Sequence, residues 1–299
     1  MGFDLATYLT QHQQLVNEAL AELLPVGDTF PPVIHEAMRY SVLGGGKRLR
    51  PILALAAAES VGAEAGPLLP AICALECIHA YSLIHDDLPA MDDDDLRHGL
   101  PANHRVYGEA VAILAGDALL TYAFRLLCSL KEAFPAELVL QIIEETAIAS
   151  GSTGLVGGQT MDILAERQQL DFVPTEALEY IHRHKTGDLL RLSVRVGAIL
   201  GGASADQLEA LTRYAERIGV AFQITDDLLD VYGDETKLGK RVGKDAPRGK
   251  LTYPGVYGTP AAERQVQHLL QSAVDELQAL GPTAEPLRQI ARFLAQRDH

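Results

Sequence analysis

Two groups of aspartates, separated by 140 residues, hold the side chains most able to do chemistry. The first group is Asp86, Asp87 and Asp92, continuing through Asp93, Asp94 and Asp95, and the second is Asp226, Asp227 and Asp230. Each group follows an apolar run, 81–84 or 220–224, that is typical of a helix interior. Carboxylates packed together against apolar surface repel one another and lose hydration, so they need compensating charge. Because Mg²⁺ prefers oxygen ligands of this kind, the pattern predicts a magnesium site.

The spacing within each group indicates how its carboxylates could share ions. At 100° per residue, Asp226 and Asp230 lie roughly 40° apart on one helix face. Asp86 and Asp92 would lie roughly 120° apart on an unbroken helix. Pro89 between them ends or kinks that helix, which lets Asp92 turn back. Acidic runs are usually solvated surface, and that alternative stays open for 93–95, but the apolar flanks make it a poor explanation of the other aspartates.

Basic residues occur where a phosphate group would need them. The sequence GGGKRLRP, beginning at Gly44, is a glycine turn that leads into a helix. Exposed backbone N–H groups, with Lys47 and Arg50 on one helix face, suit a phosphate, although the spacing is not that of a nucleotide-binding P-loop. His79 lies seven residues before Asp86, on nearly the same helix face. Taken singly, the turn would be an ordinary loop and the histidine an ordinary core or surface residue.

Two further basic segments have an equally ordinary explanation when each is taken alone. Residues 185–187, Lys-Thr-Gly, interrupt an otherwise amphipathic helix, and 239–241, Gly-Lys-Arg, lie in a polar loop after the second aspartate group. Charged residues in such positions are usually solvated. Whether these two segments bind a ligand therefore depends on which residues the rest of the chain brings next to them.

Composition limits the class of protein. The chain has 299 residues, 47% of them hydrophobic, and a net charge of −15. That charge argues against nucleic acid or an anionic membrane as a partner, and it leaves an anionic small substrate only where metal ions and local cations reverse the field. Three cysteines do not make a disulfide framework. The most apolar stretch, 110–124, contains Asp117 and is too short for a membrane span, and the first ten residues lack a basic leader. We therefore expect a soluble, cytoplasmic protein without stable membrane insertion.

The hydrophobic periodicity predicts helix nearly throughout the chain. Glycine and proline divide it into segments at 4–24, 32–43, 48–62, 67–86, 105–131, 135–166, 174–201, 204–232, 260–280 and 283–296. Ser204 and Gln207 form a capping box at the start of one segment. No alternating strand pattern and no linker interrupts the helices. The sequence predicts an all-α fold with a single domain, 1–299, in which one large bundle surrounds a central cavity and facing helices hold the ligands.

Taken together, these segments resemble the trans-isoprenyl diphosphate synthases, in their bacterial farnesyl diphosphate synthase type. The matching pieces are GGGKRLRP from Gly44, HAYSLIHDDLPAMDDDDLR from His79, GEAVAILAGDALL from Gly108, HKTGDLL from His184, FQITDDLLD from Phe222 and LGKRVGKD from Leu238. They are co-linear and cover nearly the whole chain. The resemblance implies an all-α homodimer whose two aspartate motifs face each other across a cavity. It also implies three Mg²⁺ ions between those motifs and the diphosphate of an allylic substrate.

The resemblance implies roles for individual residues as well. Metal binding falls to Asp86, Asp92, Asp226 and Asp230, with Asp87 and Asp227 as further catalytic members of the motifs. The allylic diphosphate would meet Arg97, Lys185, Thr186, Gln223 and Lys240, of which Arg97, Lys185 and Lys240 also count as catalytic. Isopentenyl diphosphate would meet Lys47, Arg50, His79 and His98.

One position departs from the family pattern. Where this chain has Arg97 and His98, the family usually has two arginines, and the second helps to hold isopentenyl diphosphate. A histidine donates a charge-assisted hydrogen bond only when protonated, and it lacks the fork of a guanidinium. We expect isopentenyl diphosphate to bind more weakly, and with more pH dependence, than is usual in the family.

The implied reaction is ionisation, condensation and elimination, without a protein nucleophile. Mg²⁺ and cationic side chains stabilise charge on the departing pyrophosphate, and positioning of isopentenyl diphosphate supplies much of the rest. Phe222 and Tyr81 are candidates to shield the allylic cation. In the family, the residues at Tyr81 and Ser82 form the floor of the tail pocket. A tyrosine there, with the DDxxxxD spacing that starts at Asp86, predicts a C15 product made from dimethylallyl diphosphate by two condensations.

Other functions stay open on the sequence alone. A terpene cyclase shares the fold and the metal chemistry but lacks a second diphosphate site such as Lys47, Arg50 and His79. A non-catalytic subunit of a heteromeric prenyl diphosphate synthase is favoured by His98, although two intact aspartate motifs argue against it. A purely structural helical protein would leave the aspartates unexplained.

Overall fold

The computed structural model describes residues 3–169, 173–232 and 249–295 of the chain. Its helices are α1 (Leu5–Leu23), α2 (Pro32–Leu43), α3 (Leu49–Ser60), α4 (Leu69–Asp86), α5 (Asn103–Tyr107), α6 (Glu109–Ser129), α7 (Ala136–Ser150), α8 (Leu155–Glu166), α9 (Pro174–Ile181), α10 (Asp188–Leu200), α11 (Ala205–Tyr232), α12 (Tyr253–Tyr257), α13 (Thr259–Glu276) and α14 (Glu285–Ala295). Two-residue strands, β1 (Leu96–Arg97) and β2 (Leu100–Pro101), pair antiparallel. Short 3₁₀ turns at Gly66–Leu68, Leu130–Glu132 and Leu277–Ala284 and a π-helical turn at His182–Gly187 join or extend the helices. The predicted all-α fold is confirmed.

The departures from the predicted segments have local causes. Segment 135–166 forms two helices, α7 and α8, because the chain turns at Gly151 and Gly154. A Cβ at these positions would lie only 2.6 Å and 2.2 Å from carbonyl oxygens of α7. Segment 105–131 breaks at Gly108, whose φ of 82° favours glycine. The β1–β2 hairpin escapes prediction because two residues per strand are too few to show an alternating pattern.

Side-chain caps fix where two of the long helices begin. The Thr7 N–H donates to Asp4 Oδ1 at 3.2 Å at the start of α1. Before α11, the Ser204 N–H donates to Gln207 Oε1 at 2.9 Å, and the Gln207 N–H donates to Ser204 Oγ at 3.3 Å. The predicted capping box is therefore confirmed, and it defines the first residue of the helix that carries the second aspartate group.

The core has two parts that share a central pair of helices. One part packs α4 against α6, α1 and α2, and the other packs α11 against α13 and α14. Helix α3 contributes Leu55 to the first part and Leu53 to the second, and α10 likewise serves both. The two helices cross with their backbones in contact, since a Cβ at Gly197 would lie 1.9 Å from the Ala54 carbonyl oxygen. Burying each leucine here contributes about 2 kcal/mol to stability.

Two helical stretches of the described chain are long and apolar enough to cross a membrane, by length and composition only. They are Gly66–Asp86, with 21 residues, and Glu109–Glu132, with 24. The expectation that the apolar stretch at 110–124 is too short is wrong, because its helix continues to Glu132. The first stretch is 72% buried inside the bundle, as is usual for a core helix, whereas the second is only 39% buried. Helix α6 therefore carries an uncovered apolar face that includes Leu114, which is 56% exposed.

Candidate active site

The first aspartate group lies where α4 ends. The helix stops at Asp86, and the chain then folds back so that the Asp92 N–H donates to the Asp86 carbonyl oxygen at 2.8 Å. Pro89 lies within this turn. The predicted return of Asp92 is therefore confirmed. Asp93 and Asp95 are exposed, as the surface interpretation of these residues allows.

The charge on Asp86 depends on the groups around it. Burial raises the pKa of the Asp86 carboxyl to about 6, the Lys185 ammonium opposes that rise, and the Asp92 and Asp87 carboxylates add to it. The repulsion among these carboxylates is therefore only partly balanced by the protein's own cations. A further cation at this end of α4 would reduce the repulsion among these carboxylates, as predicted from the sequence.

Asp87 faces a different partner. The Nε of Arg97 lies 3.0 Å from Oδ1 and 3.2 Å from Oδ2 of the buried Asp87 carboxylate, and Nη2 also donates to Oδ1. Such a bidentate pair is strong and directional. Arg97 Nη2 also lies 3.9 Å from Asp94 Oδ2. Both oxygens of Asp87 are thus occupied by protein donors.

Lys185 and Thr186 lie on the π-helical turn between α9 and α10. A π turn inserts an extra residue and shifts side chains out of regular helical register, which agrees with the predicted interruption at 185–187. The Lys185 Nζ donates to Asp162 Oδ2 at 2.6 Å. Burial lowers the pKa of Lys185, but the Asp162, Asp86 and Asp92 carboxylates more than offset it, so the pKa is raised. Lys185 is therefore a charged ammonium held among three carboxylates.

Two glycines allow neighbouring helices to reach this turn. A Cβ at Gly158 of α8 would lie 2.1 Å from the backbone nitrogen of Lys185, and one at Gly219 of α11 would lie 2.9 Å from the Cα of Gly187. Real Cβ atoms do not approach so closely. Helices α8 and α11 therefore pack directly on the backbone of the turn and fix the point from which the Lys185 side chain starts.

The second aspartate group is linked to the same turn by hydrogen bonds. Thr186 Oγ1 donates to Gln223 Oε1 at 2.8 Å, and Gln223 Nε2 donates to Asp227 Oδ1 at 3.0 Å. The other oxygen of Asp227 accepts from the Tyr253 N–H at 2.8 Å and lies 3.2 Å from His182 Nε2. Thr186, Gln223 and Asp227, predicted from separate motifs, thus share one chain of hydrogen bonds. As with Asp87, the Asp227 oxygens have protein partners.

Arg50 of α3 lies within electrostatic reach of Asp226. Burial lowers the pKa of its guanidinium, and the Glu76 and Asp226 carboxylates act against that effect. Nη1 of Arg50 lies 3.4 Å from His79 Nε2, and its Nε is buried with no hydrogen-bond partner among the described residues. An unpaired guanidinium N–H inside the protein is a strong donor for an anion.

Two histidines beside these arginines are kept neutral. Burial, with the charge of Arg50, lowers the pKa of His79 well below its usual value. Burial, with the charge of Arg97, also lowers the pKa of His98. His98 lies on the turn of the β1–β2 hairpin with a φ of 53°, and a Cβ at Gly46 would lie 3.4 Å from its Nε2. The His98 ring therefore lies against the glycine turn that precedes α3.

Some of these groups, among them Asp87, border a recess between α2, α4, the glycine turn and the hairpin. Its wall includes His79, Arg97 and His98, together with apolar side chains such as Leu83 and Ile84. A wall with both donors and apolar surface suits a ligand that has an anionic end and a hydrocarbon part.

The structure adds three residues that sequence reasoning missed. Asp162 holds Lys185, Lys250 Nζ lies 3.8 Å from Asp92 Oδ2, and Gln159 is buried with neither amide atom hydrogen-bonded within the described part of the chain. Gln159 and Asp162 lie three residues apart on one face of α8, directly after two glycines. A glycine pair followed by polar residues within an apolar helix could have indicated Gln159 and Asp162 as site residues. The sequence around Lys250 offers no comparable indication.

The two predicted chain-length residues differ in what they present. Tyr81 is buried, its ring lies edge-on to His85 with centroids 5.8 Å apart, and its hydroxyl has no hydrogen-bond partner in the described ranges. The Ser82 hydroxyl donates to the His79 carbonyl oxygen at 2.9 Å, within its own helix. Of the two, only Tyr81 offers a bulky side chain.

The predicted metal ligands can be tested against their surroundings. Across residues 3–169, 173–232 and 249–295, no three Asp, Glu, His or Cys side chains converge as a ready-made metal site. Mg²⁺ does not require one, because it keeps several waters and commonly binds one or two carboxylates together with substrate phosphates. The all-oxygen donor set and the poorly compensated Asp86 carboxyl fit that ion. Lys240 lies outside the described residues.

Comparison with known proteins decides the family. The model of the polyprenyl synthetase family matches residues 31–281. The chain belongs to the polyprenyl synthetase family. It is a prenyltransferase that makes prenyl diphosphates, and the resemblance stated from the motifs is confirmed.

Similar proteins carry more than one product name. The chain is 46% identical to the heterodimeric geranylgeranyl pyrophosphate synthase large subunit 1 of Arabidopsis thaliana, over 100% of this chain and 81% of that protein. It is 44% identical to a farnesyl diphosphate synthase of Geobacillus stearothermophilus, over 98% of this chain and 97% of that protein. The crystal structure of an FPP/GFPP synthase from Zymomonas mobilis matches with a TM-score of 0.87 at 39% identity, over 97% of this chain and 98% of that one. These similarities leave the product length open.

The histidine beside Arg97 gives a test of the predicted isopentenyl diphosphate site. Because the pKa of His98 is lowered from 6.5, its ring is neutral at about pH 7.5 and gains charge only in acid. We expect His98→Arg to lower the KM for isopentenyl diphosphate roughly 10-fold at that pH, the size of one charge-assisted hydrogen bond. As the pH falls through the lowered pKa of His98, the wild-type ring becomes charged and the two KM values should converge. Steady-state kinetics across this range measure both effects, and an unchanged KM at neutral pH would refute the prediction.

Proposed function

We propose that this prenyltransferase is a Mg²⁺-dependent farnesyl diphosphate synthase. It condenses isopentenyl diphosphate with dimethylallyl diphosphate and then with geranyl diphosphate. The observation that carries the proposal is a pair of separate cationic centres: the Lys185 ammonium, which Asp162, Asp86 and Asp92 stabilise, and the Arg50 guanidinium, on which Glu76 and Asp226 act. Two diphosphate substrates need two such centres, whereas a cyclase that takes a single diphosphate needs only one.

The metal would be held by carboxylates of the two aspartate groups. We assign this role to Asp86, Asp92, Asp226 and Asp230, with three Mg²⁺ ions by resemblance to the family. When bound, the ions neutralise charge that develops on the departing pyrophosphate. Asp87 and Asp227 take a different role, because protein donors occupy their oxygens. They hold the neighbouring cationic and polar side chains in position.

Lys185 and Arg97, together with Lys240, bind the allylic diphosphate. Lys185 must keep its proton while negative charge grows on the leaving group, and the Asp162 carboxylate at 2.6 Å secures this. The Thr186–Gln223 hydrogen bond fixes two polar side chains at the same end of the cavity. No side chain acts as a nucleophile, so the contribution of the protein is charge stabilisation and the positioning of two substrates.

The second diphosphate is bound by Arg50, Lys47 and His98. The neutral His79 ring accepts from Arg50, which orients the guanidinium without competing for the anion. The unpaired Nε of Arg50 then donates to a diphosphate oxygen. This places isopentenyl diphosphate, held through its own anionic end, beside the allylic carbon that becomes a cation.

A homodimer accounts for the uncovered apolar faces of neighbouring helices. Helix α6 exposes Ile113 and Leu114, α7 exposes Leu140 and Ile148, and α8 exposes Val156. Apolar surface of this extent on a monomer usually marks an interface. We propose a second copy of this chain as the partner, in the cytoplasm, where the charged substrates are dissolved.

The proposed reaction is tested directly by product analysis. The purified protein, with isopentenyl diphosphate, Mg²⁺ and either dimethylallyl or geranyl diphosphate, should yield farnesyl diphosphate in mass spectrometry. Asp86→Ala and Asp226→Ala should each lower kcat by at least about 100-fold, since charge on the leaving group is no longer stabilised. Asp95→Ala, which removes an exposed carboxylate from the same acidic run, should retain activity. Cyclic hydrocarbon would indicate a cyclase, absence of product a non-catalytic subunit, and wild-type rates in either motif variant would overturn the metal assignment.

The proposed C15 product depends on the bulk of Tyr81. Replacing this buried ring in Tyr81→Ala opens the floor of the tail pocket, so we expect part of the product to shift from C15 to C20 or longer. Ser82→Ala is the matched control, because the Ser82 hydroxyl bonds only within its own helix, and its product should stay C15. Product lengths are measured by mass spectrometry of the dephosphorylated alcohols. A Tyr81→Ala protein that makes only C15 would show that another residue sets the length.

The proposed dimer predicts a solution mass of about twice the 32.3 kDa of one chain. Leu114→Glu places a charge in the middle of the exposed apolar face, and burial of an unpaired charge is costly, so the variant should shift towards monomer. Light scattering after size-exclusion chromatography measures both masses. A monomeric wild-type protein at micromolar concentration would exclude the homodimer.

A further inference from the structure

The chain between α2 and α3 follows an unusual backbone path. Gly45 and Gly46 have φ values of 115° and 109°, and Arg48 then adopts the left-handed conformation with φ 52° and ψ 33°. A residue other than glycine pays a steric cost there, so surrounding contacts must hold Arg48 in place. Lys47 lies between Gly46 and Arg48, and Arg50 is the second residue of α3.

The Arg48 guanidinium provides those contacts. Arg48 is only 5% exposed, and each of its side-chain nitrogens donates to a protein oxygen. Nε donates to Asn17 Oδ1 at 2.8 Å, Nη1 to Glu76 Oε1 at 2.6 Å and Nη2 to the Val42 carbonyl oxygen at 2.7 Å. Although Arg48 borders the recess, it is committed to the protein, unlike Arg50 with its unpaired Nε.

Helix α1 supports the same turn from outside the recess. Besides the contact of Asn17 with Arg48, the Gln13 Nε2 donates to the Gly46 carbonyl oxygen at 2.8 Å. Helix α1 is itself fixed to α3, because His12 Nε2 lies 2.7 Å from Glu59 Oε1. Gly44, Gly45 and Arg48 line the recess, whereas Gln13, Asn17, Lys47 and Arg50 do not. Helix α1 thus holds both ends of the segment that carries Lys47.

We propose that Arg48, together with Asn17 and Gln13 of α1, forms a positioning network that sets the affinity for the second diphosphate. The network fixes the backbone from Gly46 to Arg48, and through it the starting points of the Lys47 and Arg50 side chains. The inference rests on the proposed function, because it assumes that these two cations bind isopentenyl diphosphate. It assigns no contact with either substrate to Arg48, Asn17 or Gln13.

The network predicts a selective kinetic effect. The groups proposed for the allylic diphosphate are held by other elements: Lys185 by Asp162 of α8, and Arg97 by Asp87 at the end of α4. Loosening the turn should therefore raise the KM for isopentenyl diphosphate while leaving kcat and the KM for geranyl diphosphate near their wild-type values. A residue that only stabilises the fold would instead lower the melting temperature and leave both KM values unchanged.

The experiment uses single substitutions on α1, because removing Arg48 or Glu76 would leave an unpaired buried charge and risk unfolding. Gln13→Ala and Asn17→Ala should each raise the KM for isopentenyl diphosphate about 5-fold, as expected for one lost hydrogen bond. Asn17→Asp keeps an acceptor for Arg48 and should restore the wild-type KM. Gln14→Ala is the control. Gln14, next to Gln13 in sequence, also makes a side-chain hydrogen bond, but to Glu18 on the exposed face of α1. The KM of the Gln14→Ala protein for isopentenyl diphosphate should therefore not change.

The outcomes separate this inference from the proposed function. If the wild-type protein does not elongate geranyl diphosphate, the proposed function is refuted before any variant is compared. With an elongating wild type, a rise in the KM for isopentenyl diphosphate confined to Gln13→Ala and Asn17→Ala, and reversed in Asn17→Asp, supports the network. Unchanged KM values in both variants, or equal changes in Gln14→Ala, overturn it. Thermal unfolding of each variant confirms that the compared proteins are folded.

Discussion

The balance of charge around Lys185 is the constraint on which the rest of the site depends. Asp162 from α8 and Asp86 and Asp92 from the end of α4 all act on one ammonium group. The Asp162 carboxylate lies 2.6 Å from the Lys185 Nζ, and the charges of Asp86 and Asp92 add to its attraction, so together they outweigh the cost of burying the ammonium. In return, Lys185 holds together carboxylates that would otherwise repel one another. The site is thus assembled around a cation that the protein itself supplies.

Close packing of the helices, with their backbones in contact, supports this arrangement of charges. Gly158 and Gly219 bring α8 and α11 against the π-helical turn, and Gly197 brings α10 against α3. Each contact removes the space that a Cβ would need, so the positions of the helices are set by backbone atoms rather than by adaptable side chains. Polar side chains on those helices then meet with little freedom, which explains how Thr186, Gln223 and Asp227 can form one chain of hydrogen bonds.

In both aspartate motifs, one member is bonded to neighbouring protein groups. The second aspartate of each motif, Asp87 or Asp227, is buried and bonded to the protein, through Arg97 in one case and through Gln223 and the Tyr253 N–H in the other. The repetition indicates a common arrangement, in which the second carboxylate of each motif holds a neighbouring cationic or polar group in position.

Much of the fold could be predicted from the sequence because its signals are local. Helical periodicity, the Ser204–Gln207 capping box and the turn at Pro89 each depend on residues a few positions apart, and all three were confirmed. The break between α7 and α8 could not be predicted with the same rules, because Gly151 and Gly154 look like glycines that a helix tolerates until their close contacts with α7 are seen. Gln159 and Lys250 were missed for a related reason, since their surroundings come from distant segments.

The sequence by itself determined the class of fold, the family and the residue types available for diphosphate chemistry, because these follow from periodicity and from motifs of adjacent residues. Only the tertiary structure decided which carboxylates keep protein partners, that Lys185 is paired with Asp162, and that Arg48 faces inward while Arg50 keeps an unpaired N–H. The physical reason is that the charge state and hydrogen bonding of a side chain depend on burial and on neighbours in space. Residues such as Asp162 and Lys185, 23 positions apart, become neighbours only when the helices pack.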